Sequence, residues 1–148
     1  MRDNLTMEDL LKQEGVLVST TVGVSMEPLF RDRRDTIVIR PVTGRLKKYD
    51  VPLYRRGEAY VLHRIIKVLP DSYVICGDNC VTKEYGITDG DIVGVLTEFY
   101  RKDRHVTVDD PRYRLYARIW CAGYPLRVAW SRVRAFAARR IRRVFPKN

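Results

Sequence analysis

Residues 16–108 alternate between short runs of β-branched or apolar residues and short polar segments. Such runs are typical of β-strands, and the Leu-Pro-Asp-Ser segment at 69–72 is typical of a turn between two of them. The pattern predicts strands at 16–24, 36–39, 50–54, 59–68, 72–76, 92–100 and 105–108. Because Pro52 has no backbone N–H, we expect the strand at 50–54 at a sheet edge. The predicted fold class of this part is therefore mainly antiparallel β.

A short helix is predicted before the first strand. Thr6 can cap its N-terminus, and Glu8 and Asp9 place negative charge in the first turn, where the helix dipole favours it. Leu10 and Leu11 supply apolar residues, and Gly15 is a suitable C-terminal stop.

After residue 109 the apolar residues recur with the spacing of an α-helix. Asp110 followed by proline predicts a helix over 111–121, which Gly123 and Pro125 end, and a second helix is predicted over 126–145. Apolar residues recur every three or four positions in the second helix: Leu126, Trp130, Val133, Ala137, Ile141 and Val144. We expect a basic, amphipathic helical hairpin at the C-terminal end.

Positive charge is concentrated in that C-terminal part. Residues 111–148 contain ten arginines, one lysine and no acidic residue, whereas residues 1–110 carry a net charge of −1. This contrast predicts two units, a β domain at 1–110 and a basic helical tail at 111–148.

Three roles are open to the tail. It could pack its apolar face on the β domain, bind an anionic membrane surface, or bind nucleic acid. We rank nucleic acid last, because no base-reading motif is visible. The aromatic residues available to a membrane interface are Tyr113, Tyr116, Trp120, Tyr124, Trp130, Phe136 and Phe145.

Composition excludes several classes of protein. No segment approaches the roughly 20 apolar residues that a membrane-spanning helix needs, and the acidic N-terminus does not resemble a secretory signal. The three cysteines, Cys76, Cys80 and Cys121, fit a reducing compartment and lack zinc-site spacing. We expect no metal and no cofactor.

Three segments suggest chemistry when they are taken together. Ser25 follows the first predicted strand, His63 lies in the long fourth strand, and Gly77-Asp78-Asn79 follows the fifth. A serine hydroxyl needs a base to become a nucleophile, and neutral imidazole is the usual base. Of the two histidines, His63 lies among apolar strand residues, whereas His105 is expected at the surface.

The ordered set Ser25-Met26-Glu27-Pro28, His63-Arg64, Gly77-Asp78-Asn79 and Ile92-Val93-Gly94 resembles the type I signal peptidase superfamily, which includes the LexA-like self-cleaving regulators. The match covers about residues 16–100. Many members use a lysine base, and one branch uses histidine. The resemblance to that branch implies the signal peptidase fold, Ser25 as nucleophile and His63 as base.

The third member of the site has two candidates. The histidine branch uses an acid near the Gly77-Asp78-Asn79 segment, which here implies Glu84, six residues after Asp78, or Asp78 itself. Either carboxylate could orient the imidazole. Lys67, about 13 Å along the strand from His63, is too distant to replace the histidine, whereas Lys83 stays open as a base.

The resemblance also implies residues around the nucleophile. Met26 would shape the substrate cleft. Gly23 occupies the position where many relatives have a serine that adds a hydroxyl to the oxyanion hole. The hole would then depend on backbone N–H groups, chiefly that of Ser25, unless Gly23 exposes a second one.

These observations predict a serine endopeptidase that cleaves a leader or signal-like peptide, bound as an extended strand. The expected location is cytoplasmic, with possible peripheral attachment to the inner face of the membrane. Two alternatives remain: a non-catalytic peptide- or membrane-binding module with a degenerate site, and a self-cleaving regulator. The regulator is disfavoured because about 15 residues before the first strand are too few for a helix-turn-helix domain.

Overall fold

In the computed structural model, which describes residues 6–144, nine strands form two antiparallel sheets. Residues 1–5 and 145–148, including the predicted end of the last helix at Phe145, lie outside the described residues. The mainly β prediction with a short N-terminal helix is confirmed.

The larger sheet has six strands in the order β1-β2-β8-β3-β4, with β9 paired to β8. Its strands are β1 (Leu17–Thr20), β2 (Thr36–Arg40), β3 (Pro52–Arg56), β4 (Ala59–Leu62), β8 (Ile92–Arg101) and β9 (Arg104–Thr107). The smaller sheet has the order β5-β6-β7, with β5 (Arg64–Val68), β6 (Tyr73–Cys76) and β7 (Glu84–Ile87). A 3-10 helix (Asp89–Asp91) precedes β8.

One predicted strand is in fact two. The strand expected at 59–68 is interrupted at His63, where the chain leaves the larger sheet and enters the smaller one. Leu62 pairs with Leu53 of β3, and Arg64 pairs with Cys76 of β6. His63 therefore sits at the crossing point between the sheets, a position that hydrophobic periodicity alone does not reveal.

Other strand predictions also need correction. The strand β3 is interior, paired with β4 and β8, although an edge was predicted from Pro52. A proline is tolerated there because it is the first residue of the strand. The strand β7 was not predicted, and β1 is shorter than the predicted 16–24 because residues 21–35 form a loop.

The helix α1 (Met7–Glu14) begins and ends as predicted. Thr6 and Asp9 form a reciprocal capping box, and Gly15 closes the helix in the left-handed conformation. Buried Leu11 anchors α1 beside Gly94 of β8, where an added Cβ would lie 2.8 Å from a Leu11 methyl and 2.5 Å from Ile39. Burial of the leucine contributes about 1.5–3 kcal/mol.

Two helices follow the sheets, α2 (Pro111–Ala122) and α3 (Tyr124–Val144). Asp110 caps α2 as predicted. The predicted hairpin is wrong: Gly123 alone joins the helices, with right-handed helical dihedral angles, and a reversal needs a longer loop. Helical hydrogen bonds continue through the junction, because the Gly123 N–H donates to the Ile119 oxygen at 2.9 Å and the Arg127 N–H donates to the Gly123 oxygen at 3.1 Å.

The helix α2 packs into the body. Tyr113 is buried against Phe99 of β8, and Ala117 is buried as well. The basic segment that begins at residue 111 therefore packs on the β domain through its first helix.

Candidate active site

A cavity of about 460 Å³ lies between the two free edges of the larger sheet. One wall comes from β1 and the residues after it, and the other from β4 and His63. Both β1 and β4 have a neighbouring strand on one side only, so their outer backbone groups face this gap. Ser25, Met26, Gly23 and Cys80 also line the cavity. The structure thus brings Ser25 and His63 to one cleft.

The loop that carries Ser25 is held by buried polar groups. Thr21 Oγ1 donates to the carbonyl oxygens of Arg31 and Asp35, at 2.9 and 3.1 Å. The fully buried Asp35 carboxylate accepts from the Arg31 N–H and from the Arg34 guanidinium. These bonds close the loop at its base and position the segment that follows β1.

The Ser25 segment is also bonded to the loop after β6. The N–H of Asn79 donates to the Ser25 carbonyl oxygen at 2.8 Å, and the Asn79 side chain donates to the Val24 oxygen at 3.1 Å. Met26 is buried, and its Sδ accepts from the Asp78 N–H at 3.4 Å. Met26 thus lines the cleft, as the resemblance implied, and helps to fix the two loops together.

His63 is buried and bonded to a carboxylate through one ring nitrogen. Its Nδ1 lies 3.1 Å from Glu84 Oε1 and 3.2 Å from the Tyr54 hydroxyl. Tyr54 donates to the same Glu84 oxygen at 2.9 Å, as does Arg56 at 3.0 Å. Because the Tyr54 hydroxyl donates its hydrogen bond to Glu84, it does not donate one to Nδ1. Nδ1 is therefore free to donate to Glu84 as well. The network favours the tautomer with Nδ1 protonated and Nε2 free to accept a proton.

The other ring nitrogen lies near the Ser25 segment. A Cβ placed on Gly77 would lie 3.0 Å from His63 Nε2, 2.6 Å from the Ser25 carbonyl oxygen and 2.8 Å from Cys80 Sγ. His63 Nε2 and the Ser25 carbonyl oxygen therefore both border the space next to the Gly77 Cα. No hydrogen bond joins the Ser25 hydroxyl to the ring within residues 6–144.

The charge state of His63 suits a base. Burial lowers the pKa of His63 below its ordinary value of 6.5, and this effect exceeds the opposing influence of the Glu84 carboxylate. The imidazole is consequently neutral at pH 7. Burial and the Glu84 hydrogen bond raise the pKa of Tyr54, so the phenol stays protonated and keeps donating.

Asp78, the other predicted acid, has different partners. Its carboxylate accepts two hydrogen bonds of 2.8 Å from the fully buried Arg64 and one of 2.9 Å from the Tyr116 hydroxyl. The Trp120 indole donates to its carbonyl oxygen at 2.8 Å. Of the two acids left open by the sequence, Glu84 contacts His63, whereas Asp78 joins the sheet to α2.

Gly23 does not offer the extra N–H that the sequence left open. Its N–H donates to Asp32 Oδ1 at 2.7 Å. The N–H of Ser25, by contrast, has no acceptor in the described part of the chain. A hole for a developing oxyanion would therefore depend on Ser25 itself.

Neither Lys83, the lysine left open as a base, nor Lys67 lines the cleft. Lys67 is exposed in β5, and the Lys83 ammonium lies 4.6 Å from the centre of the Tyr124 ring. His105 is exposed and bonded to Glu98, as expected for a surface residue. Among the described residues, no cluster of side chains suited to a metal ion is found.

Sequence reasoning missed three residues of the site. Tyr54 and Arg56 lie on β3 and converge on Glu84, and Cys80 lines the cleft close to Gly77. Alternate residues of one strand share a face, so correct placement of β3 beside β4 would have suggested the first two. No pattern in the sequence around Cys80 indicates that this residue lines the cleft.

Comparison with known proteins gives no match, either among protein-family models or among curated proteins. Within residues 6–144, no helix has both the length and the hydropathy needed to cross a membrane.

Proposed function

We propose that the protein is a serine endopeptidase related to the histidine branch of the type I signal peptidases. The observation that carries the proposal is the orientation of His63, with Nδ1 on Glu84 and Nε2 toward the Ser25 segment in a shared cleft. The order of motifs along the chain and the mainly β architecture support the same family and fold.

The proposed reaction is acyl transfer. Ser25 Oγ attacks the scissile carbonyl carbon as its proton passes to His63 Nε2, and Glu84 stabilises the imidazolium through Nδ1–H. The Ser25 N–H donates to the oxyanion. Collapse of the tetrahedral intermediate breaks the C–N bond, and the imidazolium protonates the leaving amine. Water, deprotonated by His63, then hydrolyses the ester and restores Ser25.

The free edges of β1 and β4 support an extended peptide as substrate. A strand inserted between them would pair with backbone groups on one or both sides, as edge-strand recognition requires. Leader and signal-like peptides present such segments, and this class is our proposed substrate.

A cleavage assay tests the proposal directly. The full chain is incubated with a library of leader-like peptides, cut sites are read by mass spectrometry, and an acylating fluorophosphonate probe reports the nucleophile. We expect cleavage in trans together with labelling at Ser25. Intact peptides and an unlabelled protein would favour a binding module instead.

The pH dependence of kcat/KM should report the His63 pKa. Since only the neutral imidazole accepts a proton, we expect a plateau at and above pH 7 and a decline as the pH falls below 6.5. The Glu84 charge raises this pKa and the Arg56 charge lowers it. Glu84→Gln should therefore move the acid limb to lower pH, and Arg56→Gln should move it to higher pH.

The matched control is Arg55→Gln, on the same strand, because Arg55 pairs with Glu8 instead of Glu84. Its pH profile should coincide with that of the wild type. Shifts of equal sign in the Glu84 and Arg56 variants would contradict the assigned base.

Gly77→Ala should disrupt the cleft. The new methyl would lie within 3.0 Å of the Ser25 carbonyl oxygen and of Cys80 Sγ, so the two loops must separate. Overpacking of this kind costs about 1–3 kcal/mol. We expect a lower Tm and a loss of about tenfold or more in kcat/KM, because small displacements of catalytic groups are costly.

Gly90→Ala provides the control, since its methyl would find the nearest atom at 3.6 Å, an ordinary contact. Both its Tm and its activity should match the wild type. Wild-type activity in the Gly77 variant would show that Ser25 and His63 do not work in this arrangement.

A further inference from the structure

The helix α3 carries an exposed apolar stripe, formed by Leu126, Trp130, Val133, Phe136 and Ile141. Each of these side chains is more than half exposed. At 100° per residue, all but Phe136 fall within an arc of about 80°, and Phe136 widens the stripe along one side. A continuous apolar stripe of this kind on a surface helix indicates a contact with something apolar.

The charge around the stripe has one sign. Exposed arginines border it, namely Arg132, Arg134 and Arg139, whereas Arg140 projects between Val133 and Phe136. Residues 111–148 contain no acidic residue. Surface helices that contact only water on their outer side carry both positive and negative side chains. The helix therefore combines an apolar face with borders that favour anionic groups.

The body of the protein leaves most of the stripe uncovered. The face of α3 with Ser131, Arg134 and Ala138 borders a groove against residues 27–28 and 78–81, and Trp130 of the stripe also lines this groove while staying 64% exposed. This face is about a quarter turn from the centre of the stripe. Arg127 holds the start of α3 by stacking on the Trp120 ring, with the guanidinium carbon 4.3 Å from the ring centre. The stripe is thus presented outward on a helix whose base is fixed.

We propose that α3 lies in the surface of an anionic lipid bilayer, with the stripe among the acyl chains and the arginines at the headgroups. Helices of this composition bind in the plane of the interface, and Trp130 has the ring type that prefers that depth. A second copy fits less well because its own arginines would face these. Nucleic acid would use the arginines and leave the stripe in water. The proposal does not depend on the peptidase activity.

Vesicle binding tests this proposal on the full chain. Co-sedimentation compares vesicles of phosphatidylcholine with vesicles in which about one third of the lipid is phosphatidylserine. We expect binding to the anionic vesicles, weakened by high salt. The variant Val133→Gln/Phe136→Gln should bind about tenfold less or weaker still, because glutamine keeps the helix but removes the apolar contact.

Val18→Gln is the matched control, since Val18 is 60% exposed on β1 and Val133 is 58% exposed on α3. It should bind as the wild type does. The fluorescence of Trp130 should shift to the blue on anionic vesicles, and Trp130→Phe should abolish the shift, since Trp120 is already stacked on Tyr116. Ser25→Ala should bind normally, which separates this proposal from the catalytic one.

Three outcomes would overturn the proposal. One is equal vesicle binding by the wild type and the double glutamine variant. Another is a wild-type dimer in analytical ultracentrifugation that the double variant dissociates, which would assign the stripe to a second copy. The third is tighter binding to random duplex DNA than to anionic vesicles, unaffected by the glutamines.

Discussion

Ser25→Ala is expected to reduce peptide cleavage by about 10³-fold or more and to abolish labelling by an acylating probe. The methyl side chain cannot form the ester, and loss of a nucleophile leaves only the residual catalysis of binding and oxyanion stabilisation. Ser25 is half-buried at the surface of the cleft, so the substitution should leave the Tm unchanged. The measurement is kcat/KM on the best library peptide, together with mass spectrometry of the labelled protein.

Ser19→Ala is the matched control because Ser19 lies on β1 and lines the same cavity. Its hydroxyl donates to the neighbouring Thr20 oxygen and lies outside the His63 network. This variant should keep labelling at Ser25 and a wild-type kcat, because a change at the substrate-binding wall acts through KM. Equal cleavage by the wild type and the Ser25 variant would remove the proposed nucleophile, and with it the peptidase assignment.

Asp78→Ala is expected to lower the free energy of unfolding by about 3–5 kcal/mol, since it leaves the buried guanidinium of Arg64 without its carboxylate. Burial alone would lower the pKa of Arg64, but the hydrogen bonds and charge of Asp78 raise it above the ordinary value. Arg64 therefore stays charged in a site that water cannot reach. The measurement is urea denaturation followed by circular dichroism.

Asp109→Ala is the control, because the Asp109–Arg114 ion pair is exposed and Asp109 itself is 79% exposed. Its effect should stay within about 0.5 kcal/mol. If Asp78→Ala does not yield folded protein, Asp78→Asn keeps the shape of the side chain and allows the comparison. A stability near that of the wild type in both Asp78 variants would contradict the structural role of this acid.

Glu84 and Asp78 are expected to have different roles: Glu84 positions the His63 ring, whereas Asp78 stabilises the fold. Glu84→Gln should alter the pH profile with a smaller change in stability, since the Glu84 side chain is 22% exposed, whereas Asp78 is buried. The two carboxylates are only six residues apart, yet one is bonded to His63 and the other to a buried arginine.

Local signals predicted the elements of this fold better than their arrangement. The capping residues Thr6 and Asp110 located helix starts because a cap acts within one turn of the chain. The interior position of β3 was missed because strand order depends on pairings between distant segments. The division of 59–68 at His63 was missed for the same reason, since both halves share one apolar pattern.

The candidate site shows the same limit. Ser25 and His63 were predicted from the family resemblance, and the structure places both in one cleft. The choice between Glu84 and Asp78 stayed open because both follow β6 and have the same chemistry. The hydrogen-bond partners distinguish the two acids. Arg64 follows His63 in the sequence, but its guanidinium donates to Asp78, so this carboxylate is bonded to the arginine instead of the imidazole.

The single-residue junction at His63 has a consequence for changes in chain length. Two hydrogen-bonded ladders, one on each side of the imidazole, must keep their registers for the ring to reach both Glu84 and the Ser25 segment. Inserting or deleting one residue in β4 or β5 would turn every following side chain to the opposite face. The turns at the far ends of these strands are free of that constraint. Variation in length among active homologues should accordingly accumulate at those turns and spare the junction.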